Sequence, residues 1–125
     1  SLVPAAWAQQ AQRIRHRAYR EALALFERYD VLIAPATPVP APPIGSDWLT
    51  LAGQQLPARA SMGILTQPLS CIGLPVCAAP VWPEAGQDDH LPLGVQLIGA
   101  PWREADCLRA AQALELAGIA RARPL

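Results

Sequence analysis

The order of apolar segments predicts an α/β fold, a mixed β-sheet covered by helices. Three observations carry this reading. An amphipathic stretch over residues 5–29 runs, across Asp30, straight into the β-prone run Val31-Leu32-Ile33-Ala34. Two further apolar runs, Val76–Trp82 and Leu93–Ile98, flank a polar insert. A second helical pattern over residues 104–117 follows them. Helices alternating with buried strands suit layered packing. The 125 residues, 52% of them apolar, are enough for one domain with a core and argue against disorder.

Each element follows from local chemistry. Pro4 suits a helix start. Trp7, Ala11, Ile14, Ala18, Ala22, Leu25 and Tyr29 then recur every three or four residues as one apolar stripe, which Tyr19, Leu23 and Phe26 widen. Arg17 and Glu21 stand at pairing distance on this helix. The run after Asp30 is stopped by Pro35 and reads as a buried strand. Residues 35–60 read mostly as loop, because Pro35, Pro38, Pro40, Pro42 and Pro43 remove backbone donors. This loop is a rigid connector or, alternatively, a polyproline-type recognition segment. Leu49-Thr50-Leu51 is a brief extended piece within it.

Residues 60–72 predict a short helix around Pro68. The polar insert Pro83–Pro92 predicts a hairpin-like connection with an exposed tip, since a parallel pair needs a longer crossover. Glu104 and Asp106 favour the positive end of the last helix, and Gly118 suits its C-cap.

Composition narrows the function. A formal net charge of zero argues against a nucleic-acid partner. No apolar stretch approaches the ~20 residues of a membrane span, and no signal peptide is visible. Cys71, Cys77 and Cys107 are odd in number and lack metal-ligand spacing, so they read as free thiols in a reducing, cytoplasmic setting, with no metal and no cofactor. His16 lies among arginines and His90 in an acidic loop, and both read as solvated. Ser1, Ser46, Ser61 and Ser70 include no adjacent pair and no nucleophile elbow. All ten basic residues are arginines.

One constellation is specific by order and spacing. Thr66-x-Pro68-x-Ser70-x-x-Gly73-x-Pro75 is followed by Pro80 and then by Leu91-Pro92-x-Gly94-x-Gln96-Leu97-Ile98-Gly99. Upstream stands Tyr29-Asp30-Val31-Leu32-Ile33-Ala34-Pro35-Ala36-Thr37-Pro38, and downstream a helix carrying Glu115. Together these resemble the C-terminal portion of the amidase signature family over nearly the whole chain. Within the family the likeness is to bacterial amidases similar to the amidase component of the tRNA-dependent amidotransferase and to carboxybiuret hydrolases.

The resemblance implies the C-terminal part of the amidase fold, residues 1–125 forming one segment of an amidase domain. It implies hydrolysis of a small amide by a serine nucleophile, a bridging cis-serine and a buried lysine. None of these has a counterpart here, so no catalytic residue is assigned and the chain alone is expected to be inactive. Thr66, Gln67 and Ser70 either line the substrate cleft or make turn and cap hydrogen bonds. Relatives that use glutamine carry an acidic residue three before the threonine, where this chain has Gly63, which argues against glutamine. Gly73, Pro75 and Gly94 read as backbone-shape residues, and a buried Gln96 needs partners. Apolar sheet edges predict self-association of the isolated segment. A non-catalytic α/β interaction module is the alternative.

Overall fold

A computed structural model describes residues 3–82 and 91–121. Helix α1 (Ala5–Leu25) is followed by strand β1 (Val31–Pro35), in the order expected, but the strand is not buried: it is half-covered, with Ile33 66% exposed, because β1 is an edge strand and α4 covers only part of it. The helix stops four residues short of the expected end. Its last turn tightens: the Phe26 N–H donates to the Leu23 carbonyl at 3.0 Å and the Arg28 N–H to the Leu25 carbonyl at 3.1 Å. Arg17 and Glu21 pair at 2.8 Å on its exposed side.

The sheet has the order β1-β5-β4, with β4 spanning Val76–Val81 and β5 spanning Leu93–Gly99. Both pairings are antiparallel, with Val31 opposite Gly99 and Val76 opposite Ile98. The hairpin expected between β4 and β5 is therefore formed. Its tip, 83–90, and His90 with it, lie outside the described residues. Helix α4 (Glu104–Leu116) covers the face that carries Val31, Cys77, Ala79 and Leu97, packing with Ala110, Ala111 and Leu114. Leu97 is fully buried at the centre.

Gly99 sets how closely helix and sheet approach. A Cβ there would lie 2.7 Å from Cys107 Sγ and 3.1 Å from the Arg103 carbonyl oxygen. The helix then ends on Gly118, whose φ of 72° lets the Ile119 and Ala120 N–H groups reach back to the Leu114 carbonyl.

The segment read as loop contains a second, separate hairpin. Strands β2 (Trp48–Leu51) and β3 (Gln54–Pro57) pair antiparallel. Ala52 and Gly53 join them with φ of 49° and 78°, the two left-handed residues of a tight primed turn. Alanine rarely takes that position, which hid the turn from the residue pattern. Two short helices follow, α2 (Ala58–Ser61) and α3 (Gln67–Ile72).

Helix α1 packs on α3 and buries no residue, and its stripe lies open: Trp7 is 71% exposed and Ile14 60%. The residues that widen the stripe, Tyr19, Leu23 and Phe26, are half-buried, as is Ala22 of the stripe itself. The chain exposes 9480 Å² in all. A compact monomer of its mass exposes about 6,500 Å². Large apolar side chains stand among the exposed ones, including Ile33 of β1, Trp48 of β2 and Leu108 and Leu116 of α4. No described helix is long and apolar enough to cross a membrane.

Candidate functional site

Helix α3 and the turn before it place the three polar residues of the Thr66–Gly73 motif. Pro68 sits in the first turn of α3, where its missing N–H is harmless. Gly73 ends the helix with φ 74°, its N–H donating to the Leu69 carbonyl at 3.0 Å. This reversal feeds Leu74 and Pro75 into β4, so the glycine serves backbone shape as expected.

The three candidates do not converge. Thr66 Oγ1 donates to the Gly63 carbonyl at 3.1 Å, beside the Thr66 and Gln67 N–H groups at 3.1 and 2.9 Å on the same oxygen. It is a turn residue in this arrangement. Gln67 is exposed, and its amide covers Gly63, where a Cβ would stand 3.3 Å from Gln67 Nε2. Ser70 alone faces a concavity, about 490 Å³ in volume, shared with Tyr19 of α1, Gly73, Pro75, Trp102 and Glu104. A second concavity of about 410 Å³ adjoins it through Tyr19 and Gly73 and includes Arg15 and His16. The Ser70 hydroxyl makes no hydrogen bond among the described residues. It thus has no positioned base there, and nothing in this wall activates it as a nucleophile.

Gln96 ties the motif to the sheet. It is 2% exposed in the middle of β5, on the face away from α4. Its Nε2 donates to the Pro35 carbonyl at 2.9 Å and to the Leu65 carbonyl at 3.2 Å. The buried amide thereby pins the turn preceding α3 onto the edge of β1. Gly94 performs a related task, its N–H donating to Thr37 Oγ1 at 3.2 Å, with Ala36 Cβ 3.0 Å from where its own Cβ would be.

Trp102, on the rim, is 91% exposed and has φ 65°. It sits in the Ala100–Arg103 turn, closed by the Arg103 N–H on the Ala100 carbonyl at 3.1 Å. Directly behind it, Asp106 is buried between the guanidinium groups of Arg103 and Arg109. The hydrogen bond from Arg103 holds the Asp106 carboxyl below the usual range, against the opposing effect of burial; Arg109 adds to the lowering. The spacing Arg103-x-x-Asp106-x-x-Arg109 on one helix is the signal that locates this clamp, and a reading of Asp106 as a simple helix-end charge overlooks it. Burial pushes the neighbouring Cys107 thiol up, with Cys77 adding to the rise. Its Sγ lies 3.6 Å from the Pro75 carbonyl, so it is a packing residue, not a nucleophile. Among the described residues no three His, Cys, Asp or Glu side chains group as metal ligands.

Comparison with known proteins follows the same lines. The Amidase family pattern matches residues 3–108. AtzE, the 1-carboxybiuret hydrolase component of Pseudomonas sp. (strain ADP), is 54% identical over 121 residues, covering 96% of this chain and 26% of that protein. The fatty acid amide hydrolase of Medicago truncatula is 36% identical over 117 residues, covering 92% of this chain and 19% of that protein. A solved structure of an s-triazine catabolic enzyme, described as a vestigial protein complex with inhibitor bound, superimposes with a TM-score of 0.89 at 51% identity, covering 98% of this chain and 26% of that one. The chain thus spans about a quarter or less of the length of these relatives.

Proposed function

The chain belongs to the amidase family, and on that premise we propose that it is the C-terminal segment of an amide C–N hydrolase, forming cleft wall and sheet while the catalytic groups stand elsewhere in the enzyme. The observation that carries this reading is the 54% identity to a carboxybiuret hydrolase, sustained over 96% of the chain. The chemistry of the complete enzyme would run through the serine, cis-serine and lysine centre that the family resemblance implies, with an acyl-enzyme intermediate. Nothing in this chain substitutes for that centre: it has no lysine, and Ser70 has no base among the described residues.

Its contribution is shape. Ser70, Tyr19 and Trp102 line the concavity, Gln96 pins the motif turn, and the Asp106 clamp fixes the rim. Ser70 offers a hydroxyl to a small amide, while Thr66 and Gln67 set the turn that presents it. At Gly63 the Gln67 amide takes the space a side chain would need, so this wall carries no carboxylate there for a substrate ammonium. That favours a small amide other than glutamine. The exposed apolar side chains fit a segment that packs into a larger fold. The free cysteines fit a cytoplasmic setting.

The test is reconstitution. The part of the AtzE relative that this chain does not cover is joined to this chain, and ammonia release from carboxybiuret and other small amides is followed. Hydrolysis by the chimera, with none from the chain alone, is the expected result. A folded chimera without activity, beside an active parent, would overturn the assignment and favour the interaction-module alternative. Ser70→Ala in the active chimera should raise KM severalfold with kcat little changed, because a wall contact binds substrate and transition state alike.

A further inference from the structure

Helix α1 rests on α3 with one face, and that face changes character along its length. Tyr19, Ala22, Leu23 and Phe26 follow one another at helical spacing and are half-buried. One and two turns earlier the same face carries His16, Arg15 and Gln12, where apolar side chains would have lengthened the contact. The change falls at the end of α3. There Gln12, Arg15, His16 and Tyr19 surround the concavity of about 410 Å³ together with Ile72 and Gly73. Tyr19 and Gly73 also line the concavity that Ser70 faces, so the two share a boundary. A Cβ at Gly73 would meet nothing within 4 Å, which leaves that boundary open.

The charge of the smaller concavity has one sign. Its lining holds one guanidinium, one imidazole and no carboxylate. Arg15 Nη1 donates to Gln12 Oε1 at 3.0 Å, which steers the guanidinium and leaves the rest of its donor fork unspent among the described residues. The single acid of α1, Glu21, is paired with Arg17 at 2.8 Å. Glu104 lines only the neighbouring concavity. A planar guanidinium matches a carboxylate through two parallel N–H···O bonds. One fixed positive charge neutralises a monoanion and leaves a phosphate dianion half-compensated.

We propose that Arg15 anchors a carboxylate subsite, with His16 and Tyr19 beside it, so that this wall takes a small amide whose far end carries a carboxylate. The proposal rests on the reading of the Ser70 concavity as cleft wall. Ser70 then meets the amide end and Arg15 the charged end, across Gly73. Position 63 agrees in sign: the wall offers no carboxylate there for a substrate ammonium and offers a cation here for a substrate carboxylate.

The test uses two amides that differ only at the far end: succinamate, with a carboxylate, and butyramide, with a methyl in its place. Binding to the full chain is followed without turnover, through the Tyr19 and Gly73 amide resonances of isotope-labelled protein. Succinamate should move both saturably, and butyramide at the same concentration should move neither. Arg15→Gln should weaken succinamate by about tenfold or more, the loss of one charge-assisted pair. Arg13→Gln, which removes an arginine outside this lining, should leave binding unchanged. Equal shifts with butyramide, undiminished binding in Arg15→Gln, or displacement of succinamate by an equal concentration of inorganic phosphate would overturn the subsite. The active chimera provides the second reading. There Arg15→Gln should weaken succinamate, as substrate or as competing ligand, and leave the KM for butyramide unchanged. An equal effect on both amides would overturn the subsite while leaving the hydrolase reading intact. Charge-selective binding beside an inactive chimera would uphold the subsite and strike the hydrolase reading instead.

Discussion

Replacing Gln96 by glutamate changes one atom type and tests the account of the Gln96 pin. The amide donates to two carbonyls, at 2.9 and 3.2 Å, from a position 2% exposed. Gln96→Met keeps the volume and removes both bonds. Pro35 is exposed and its carbonyl regains water, so the loss falls mainly on the Leu65 carbonyl, about 1–3 kcal/mol. Gln96→Glu is worse at neutral pH, because an ionised carboxylate would face two acceptors. It escapes by holding its proton, so its folded pKa rises above the unfolded value of about 4.3. In the window between those two values the folded state binds more protons than the unfolded state. Stability therefore falls as pH rises, by about 1.4 kcal/mol per pH unit. Urea unfolding followed by circular dichroism from pH 4 to 8 reads this directly. Near pH 4 the neutral acid donates one hydrogen bond and the glutamate variant should match or exceed the methionine variant. At pH 7 it should fall about 2 kcal/mol or more below it. Equal stability of the two variants at pH 7, with flat pH profiles, would refute the claim that Gln96 acts as a buried donor.

Two further outcomes follow from the same geometry. Ala52→Asn should raise stability by about 0.5–1 kcal/mol in the same assay, since asparagine tolerates the left-handed φ of 49° that alanine resists. Asp106 has its folded pKa lowered, first by the Arg103 hydrogen bond, so its contribution is present above the unfolded carboxylate pKa and is lost as pH falls through the folded one. Asp106→Asn should accordingly be less stable than the parent at pH 7, with the gap closing in acid.

The residue pattern made much of the fold readable. The helix-Asp30-strand order, the β4–β5 hairpin and the Gly118 stop are local signals, set by periodicity, a short polar connection and a left-handed glycine. Leu49-Thr50-Leu51 was legible as an extended piece and lies in β2, but its pairing with β3 escaped because the turn uses Ala52 in place of Asn or Asp. Of the candidate site, the motif and its reversal at Gly73 were legible. The divergence of its polar residues was not, because whether a hydroxyl faces a neighbouring carbonyl or a cavity depends on where the next element packs. Thr66 finds Gly63 within its own turn, whereas Ser70 lines a concavity together with Tyr19 and Trp102 from distant parts of the chain.

By itself the sequence determined the α/β class, the element order and the amidase kinship, since each rests on spacing along one chain. It also established that these 125 residues contain no lysine, which is a matter of composition alone. Only the tertiary structure decided that Gln96 bonds to Leu65 from 31 residues away and that Asp106 is clamped by two arginines. It likewise decided that the apolar stripe of α1 lies open instead of buried. A helical period says that one face is apolar, and only the neighbouring elements determine whether anything covers it.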